Sequence, residues 1–350
     1  MTIILKDAAL VARLRKALLG WYDAHGRDLA WRRGARDPYR VWLSEVMLQQ
    51  TTVPHAAPYY EKFLRLWPTA RDLAAADDAR VMAEWAGLGY YARARRLLAC
   101  ARVVAREHGG AFPRTEAGLL ALPGFGPYTA AAVAAIAFGE AANVVDGNVE
   151  RVMTRLYAIE TPLPAGRAEA REAAAQWVSA ARAGDWPQAL MDLASLICRP
   201  KAPQCLLCPL AEACDARAQG QPERYPVKPA KAPKPRRYGT VFVMRVGAGV
   251  IAEQRPDKGL LGGMLGLPHT QWAAEARDPE PPLNGGWRDL GAYEHVFTHF
   301  ALTQSVWLRD ATEAEAAQLL RARNDWRLLP LAEARSLPTV FAKALRLIVS

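Results

Sequence analysis

The chain has 350 residues, 51% hydrophobic and 23% charged, with a formal net charge of +10. That length supports two or three packed domains, and no apolar run reaches the roughly 18 residues a membrane helix needs. Residues 238–350 carry 12 basic and 12 acidic side chains, so the whole basic excess falls in residues 1–237, which points that part toward a polyanion unless it only solubilises the surface.

From Met1 to Trp21, Lys6, Asp7, Arg13, Arg15 and Lys16 interrupt the apolar positions, the pattern of an amphipathic helix rather than a secretory signal. Through about residue 215 the chain stays helical in character, rich in Ala, Leu and Arg, with short Gly and Pro breaks. In Pro38–Thr51, helical spacing places Val41, Glu45 and Leu48 on one face, with Trp42 three residues before Glu45. Glu45 then reads in two ways. It is the edge of an apolar stripe reaching water, or a desolvated carboxyl raised toward general-acid duty.

Leu122-Pro-Gly-Phe-Gly-Pro-Tyr-Thr-Ala130 lies between two helical stretches. Gly124 and Gly126 predict a tight turn that lets a phosphate approach the backbone amides, with a helix starting near Pro127. The pattern reads as an ordinary helix–helix turn or, more specifically given L-P-G-x-G followed by T-A and an Ala-rich helix, as a helix–hairpin–helix that holds DNA backbone without reading sequence. Asp146 follows Asn143-Val-Val and precedes Gly147-Asn148. It reads as a helix N-cap, as a carboxylate at the mouth of a cleft, or as both.

Cys198, Cys205, Cys208 and Cys214 follow as C-x6-C-x2-C-x5-C; the fifth cysteine, Cys100, stands alone. Four thiolates at this density ask for a metal or cluster, and the spacing leaves iron–sulfur and zinc both open, with two disulfides less suited. Such cysteine usage fits a reducing cytosol. Residues 221–237, QPERYPVKPAKAPKPRR, have five prolines and six basic residues and predict an extended linker with almost nothing to bury. Beyond it a strand is expected at Tyr238–Val246, further strands at Ala292–Phe297 and Ala301–Leu308, and helices at 312–323 and 338–349. The chain therefore divides into a helical domain over 1–220, the linker, and a small α+β domain over 238–350.

WLSEVMLQQT at 42–51, GLGYYARAR at 87–95, LPGFGPYTA at 122–130, VVDGNVERV at 144–152 and the cysteine quartet occur in that order. Together they resemble the helix–hairpin–helix DNA glycosylases of the endonuclease III superfamily, and within it the MutY-type adenine DNA glycosylases. The resemblance implies two helical modules with a DNA cleft between them. It implies a [4Fe–4S] cluster on the four cysteines, with Arg199 and Lys201 in the loop it stiffens. It makes Glu45 the acid and Asp146 the stabilising carboxylate, with Asn148 orienting acid and water. Trp31 and Arg32 would line the adenine pocket, and Gln50, Leu88 and Tyr90 would wedge into the base stack, although core packing would equally account for Leu88 and Tyr90. Tyr128 stands where strand-cutting relatives carry a lysine. A phenol cannot form an imine, so base removal without efficient strand cleavage is expected.

In the second domain Gly259–Pro268 resembles the glycine-rich region of a Nudix fold, but no R-E-x-x-E-E helix follows, so a binding rather than a catalytic role is expected. Phe297-Thr298-His299 resembles the loop by which MutY-type enzymes recognise 8-oxoguanine, with Thr298 in place of the usual serine. The partner implied is duplex DNA carrying adenine opposite 8-oxoguanine or guanine, met by a monomer in the bacterial cytoplasm at the nucleoid. Two rivals stand: a bifunctional pyrimidine-lesion glycosylase/lyase, and a lesion-binding protein without catalysis.

Overall fold

A computed structural model describes residues 5–33, 36–229, 233–256, 259–334 and 337–348. Two compact units divide at Ala230/Lys231, and each carries its own apolar interior.

The first unit is helical and holds two cores. The first core is built from α2 (Pro38–Leu48), α3 (Val53–Leu66), α4 (Ala70–Ala74), α5 (Asp78–Glu84), α6 (Ala92–Glu107), α7 (Glu116–Leu120) and α8 (Pro127–Phe138). The second joins α1 (Ala8–His25) to α9 (Gly147–Leu156), α10 (Gly166–Ala175), α11 (Asp185–Leu196) and the cysteine loop. The N-terminal helix thus packs with helices well over 100 residues later. Asp7 caps α1 by accepting from the amides of Ala9 and Leu10, and Val11, Leu14 and Leu18 carry its buried stripe. Among the described residues no helix is long and apolar enough to cross a membrane.

Helix α8 explains the tightness of the first core. PYTAAAVAAIAF is apolar all round, and its alanines let it lie closely against α2. Along α2, every residue from Val41 to Met47 is buried. Of the two readings of Glu45, the structure therefore gives the desolvated carboxyl, within a continuously buried run, rather than the edge of a stripe reaching water.

The second unit is a mixed sheet with helices on both faces. β1 (Arg236–Val246) runs parallel to β5 (Ala301–Asp310) and turns at Gly247-Ala248 into antiparallel β2 (Gly249–Gln254). β4 (Arg288–Val296) lies antiparallel on β5; β3 (Leu265–Gly266) and β6 (Trp326–Pro330) both pair with β2. The helix Thr339–Arg346 seals one face over Val241, Val243, Leu302 and Val306, and the helix Glu313–Ala322 packs with Met244, Ile251 and Trp326 on the other. Residues 271–280, after the glycine-rich stretch, form no helix, and Ala273 bridges to Tyr238 of β1.

The segment between the units is less bare than its composition suggests. Tyr225 is buried, its hydroxyl donates to Glu160 (2.6 Å) and lies 2.8 Å from the Gln219 side-chain oxygen, and its carbonyl accepts from Arg155 (3.1 Å). One aromatic among the prolines is enough to fasten residues 222–227 to the helical unit, where the Val227 carbonyl also accepts from the Leu163 amide (2.9 Å). The expectation of a linker starting at 221 with nothing to bury is corrected accordingly.

Candidate active site

A cleft of about 1000 Å³ opens in the helical unit. Trp31, Arg32, Glu45, Gln50, Tyr90, Tyr128, Asp146 and Asn148 all line it, although they come from positions more than 100 residues apart. The local chain explains how Asp146 reaches it. On the extended segment before α9, Val144 packs into the first core and Val145 against the second, so Asp146 emerges at the seam between them.

Glu45 is 7% exposed. Burial raises its carboxyl to about 7; the Tyr128 hydroxyl, donating to Oε2 at 2.6 Å, opposes the rise, the Asp146 charge adds to it and Arg32 offsets part. Asp146 is held differently. It is the N-cap of α9: Oδ1 accepts from the amides of Asn148 (2.9 Å) and Val149 (2.8 Å), and Oδ2 from Asn148 Nδ2 (2.8 Å). Both readings of Asp146, cap and cleft carboxylate, therefore hold together. Asn148 is expected to help orient the acid and water; its side-chain amide donates to Asp146, because a residue in the first helical turn can reach back to its own cap. From there the contacts run inward. Arg151 donates to Asn148 Oδ1 (3.2 Å) and, from Nε, to the Cys198 carbonyl (2.9 Å).

Tyr128 enters from the first turn of α8, and burial drives its phenol well above the ordinary value, so it stays a neutral donor to Glu45. Arg32 lines the cleft with its guanidinium committed to Asp192, in a bidentate pair at 2.7 and 2.9 Å. Asp192 is fully buried on α11 and also accepts from Arg27; burial pushes its carboxyl up, but the paired guanidiniums outweigh that and hold it below the usual range. This arrangement was not foreseen, since a lone Asp in an apolar helical pattern carries no signal of its partners. Trp31 meets Tyr60 edge-on at 5.6 Å.

Two exposed turn residues also line the cleft. Gln50 and Tyr90 both adopt left-handed backbone, with φ of 58° and 49°, a conformation that costs a non-glycine residue about 1 kcal/mol or more. Tyr90 is 59% exposed. Leu88 does not share that role: it is 4% exposed and packs into the first core, because the turn directs it inward and Tyr90 outward. The wedge expected of Leu88 is corrected to core packing.

Gly124 and Gly126 sit apart from this cleft, in the hairpin before α8. Gly124 has φ +80°, and a Cβ there would lie 3.0 Å from Arg96 Cβ, so glycine is required. Gly126 caps α8 with φ −102° and open space around it; other residues can take that shape, which corrects the expectation of a forced glycine at 126.

Cys198, Cys205, Cys208 and Cys214 are free thiols, half-buried. Among the described residues no three His, Cys, Asp or Glu side chains converge on a common point as around a single ion. Buried Arg155 organises the loop, donating to the carbonyls of Cys198 (3.2 Å), Arg199 (2.8 Å) and Pro200 (3.0 Å) and to Cys198 Sγ at 3.2 Å. In the second unit, Phe297–Phe300 form the turn between β4 and β5, closed by the Phe297 amide on the Phe300 carbonyl (2.9 Å). Thr298 and His299 are exposed at its tip, while Phe297 is anchored against Trp272 (5.2 Å) and Phe300 (4.8 Å).

Chemically, the cleft offers a carboxyl that is half-protonated near neutrality and a carboxylate fixed by three N–H donors. The first can give a proton to a leaving group; the second can face the positive charge that develops when that group departs.

Residues 43–179 match the HhH-GPD superfamily of base excision DNA repair proteins, and residues 240–347 match a NUDIX domain. The chain is 36% identical to an adenine DNA glycosylase of Homo sapiens, over 87% of this chain and 68% of that one. It is 42% identical to an adenine DNA glycosylase of Mycolicibacterium smegmatis, over 59% and 70%. Among solved structures, a thermostable thymine-DNA glycosylase is 31% identical with a TM-score of 0.55, covering 61% of this chain and 100% of its own. The likeness to the human enzyme runs over 87% of this chain, both matched domains lie in the order of the two units, and the chain belongs to the adenine DNA glycosylase family.

Proposed function

We propose that this protein hydrolyses the N-glycosidic bond of adenine in duplex DNA, as a base-excision repair enzyme that leaves the strand intact, and that its target is adenine opposite 8-oxoguanine or guanine. The observation that carries the reading is the pair Glu45 and Asp146: one carboxyl raised to about 7 by burial, the other held by three N–H donors, in one cleft.

Adenine must leave the stack to reach Glu45, at a cost of a few kcal/mol. Glu45 then transfers its proton to N7, and the C1′–N9 bond breaks with its electron pair going to the base. Asp146 faces the oxocarbenium-like sugar. Water attacks C1′ and returns a proton to the Glu45 carboxylate, so the products are free adenine and an abasic site. No lysine lines the cleft among the described residues, and Tyr128 is engaged with Glu45. That supports hydrolysis without Schiff-base strand cleavage.

Gln50 and Tyr90, exposed on strained backbone at the cleft's edge, are suited to enter the stack as the base leaves. Thr298 and His299 are suited to read the opposite base, with Phe297 as their anchor. Cys198, Cys205, Cys208 and Cys214 suit a [4Fe–4S] cluster: the set is all thiol and free, and a guanidinium donates to one sulfur, as to a cluster ligand. When bound, the cluster would supply a rigid, redox-capable brace for the loop carrying Arg199 and Lys201.

The test is a nicking assay on A:8-oxoguanine, A:G and A:T duplexes, with and without alkali. Nicks that need alkali and appear on the first two duplexes are expected. Nicks without alkali would favour the lyase, and binding with no adenine release would favour a lesion-binding protein.

A further inference from the structure

Arg93, in the first turn of α6, is 8% exposed, and among the described residues no carboxylate pairs with it. Its guanidinium goes to backbone on two separate segments. From Nη1 it donates to the carbonyls of Val46 (3.0 Å), Met47 (3.2 Å) and Gln49, the carbonyls that α2 leaves open at its C-terminus. From Nη2 it donates to Thr51 Oγ1 (3.3 Å) and to the Leu88 carbonyl (3.1 Å). Gln50 therefore lies between two residues tied to Arg93, and Tyr90 lies two residues beyond a third. The same guanidinium stacks on the rings of Tyr90 and Trp85, each at 5.5 Å.

The Tyr90 turn is tied along its whole length. Four successive carbonyls each accept from a different side chain: Ala86 from Tyr59 Oη (2.9 Å), Gly87 from His55 Nε2 (3.1 Å), Leu88 from Arg93, and Gly89 from Trp85 Nε1 (3.0 Å). Both exposed tips, Gln50 and Tyr90, hold left-handed backbone that would relax if the surrounding bonds let go.

We propose that Arg93 is a positioning residue that couples the Gln50 and Tyr90 turns into one rigid two-pronged wedge, and that this coupling sets base extrusion rather than bond cleavage. The inference rests on the adenine glycosylase reading above. Only a planar fork with several N–H groups can serve both turns; a lysine ammonium reaches one.

The test compares the full chain with R93K on two A:8-oxoguanine-type substrates under single-turnover conditions. In one the adenine is paired in duplex. In the other it sits in a one-nucleotide bulge, where much of the unpairing is already done. R93K is expected to lose on the order of 50-fold on the paired substrate, the scale of a lost contribution to flipping. On the bulge the loss should stay within about 3-fold, with the pH midpoint of the rate unmoved. A variant lacking both prongs, Q50A/Y90A, should be slowed no further by R93K. Equal loss on both substrates, or a shifted pH midpoint, would overturn the proposal and place Arg93 in support of α2 and Glu45. Should R93K fail to fold, Y59F removes one exposed tie of the Tyr90 turn. A few-fold loss confined to the paired substrate supports the wedge; no difference between substrates overturns it. A wild-type protein inactive on both substrates would instead sink the glycosylase reading itself.

Discussion

The helical unit buries charge and the sheet unit does not. Among the described residues, the buried Asp, Glu and Arg side chains, Glu45, Arg93, Arg155 and Asp192, all belong to the helical unit, whereas the buried polar residues of the sheet unit are the neutral Thr240 and Gln304. Burying a charge is costly unless it is paired or hydrogen-bonded. Three of the four have such partners: Asp192 has two guanidiniums, Arg155 a ring of carbonyls and a thiol, Arg93 two chain segments. Glu45 has a single phenol, so its carboxyl moves to about 7. The contrast teaches where each unit works. One holds reactive groups in a preset geometry; the other keeps its charges at the surface, balanced in number, around an exposed turn.

The largest way to break this comparison is Glu45→Gln. Turnover is expected to fall by about 10³-fold or more while binding to an A:8-oxoguanine duplex persists, measured by single-turnover kinetics and by gel shift. The same variant tests the burial argument through stability. A carboxyl whose folded value is raised stabilises the fold fully below its unfolded value near 4.5, and that stabilisation is lost as pH rises toward 7. Glu45→Gln should therefore be more stable than the parent at pH 8, by on the order of 3 kcal/mol at most, with the gap closing toward pH 5 in denaturant titrations. A constant gap across pH would mean that Glu45 is not desolvated.

Next in size, Phe297→Ala with His299→Ala should cut the preference for A:8-oxoguanine over A:G by roughly 10-fold, while the rate on A:G barely changes, a loss on the scale of one or two contacts. An unchanged preference would remove the exposed turn from recognition. The smallest effect sharpens the chemistry. Tyr128→Phe removes the hydrogen bond that holds Glu45 down, so the alkaline limb of the pH–rate profile should move up by about one unit. A downward shift would mean that Tyr128 feeds the acid a proton instead of stabilising its anion.

Much of the helical unit was legible in the chain. The hairpin turn, the start of α8 at Pro127 and the Asp146 cap all follow from short-range rules about glycine, proline and capping. In the sheet unit β1, β4 and β5 could be read from β-branched and aromatic runs, whereas β2, β3 and β6 could not. They are short, and GVIAEQ or WRLLP becomes a strand only because a neighbour satisfies its backbone. Leu88 and Tyr90 show the same limit at the site. Both sit in GLGYY, and only the backbone angle at 90 sends one inward and the other out.

What the chain determined alone was its inventory: two carboxyls, a phenol in place of a lysine, four clustered thiols, and helices able to carry them. What only tertiary structure decided was their surroundings. The burial that raises Glu45, the seam that presents Asp146 between two cores, and the fork of Arg93 across two turns each join residues far apart in sequence. Desolvation and hydrogen-bond partnership depend on distance in space, and no spacing along the chain encodes that until the helices have packed.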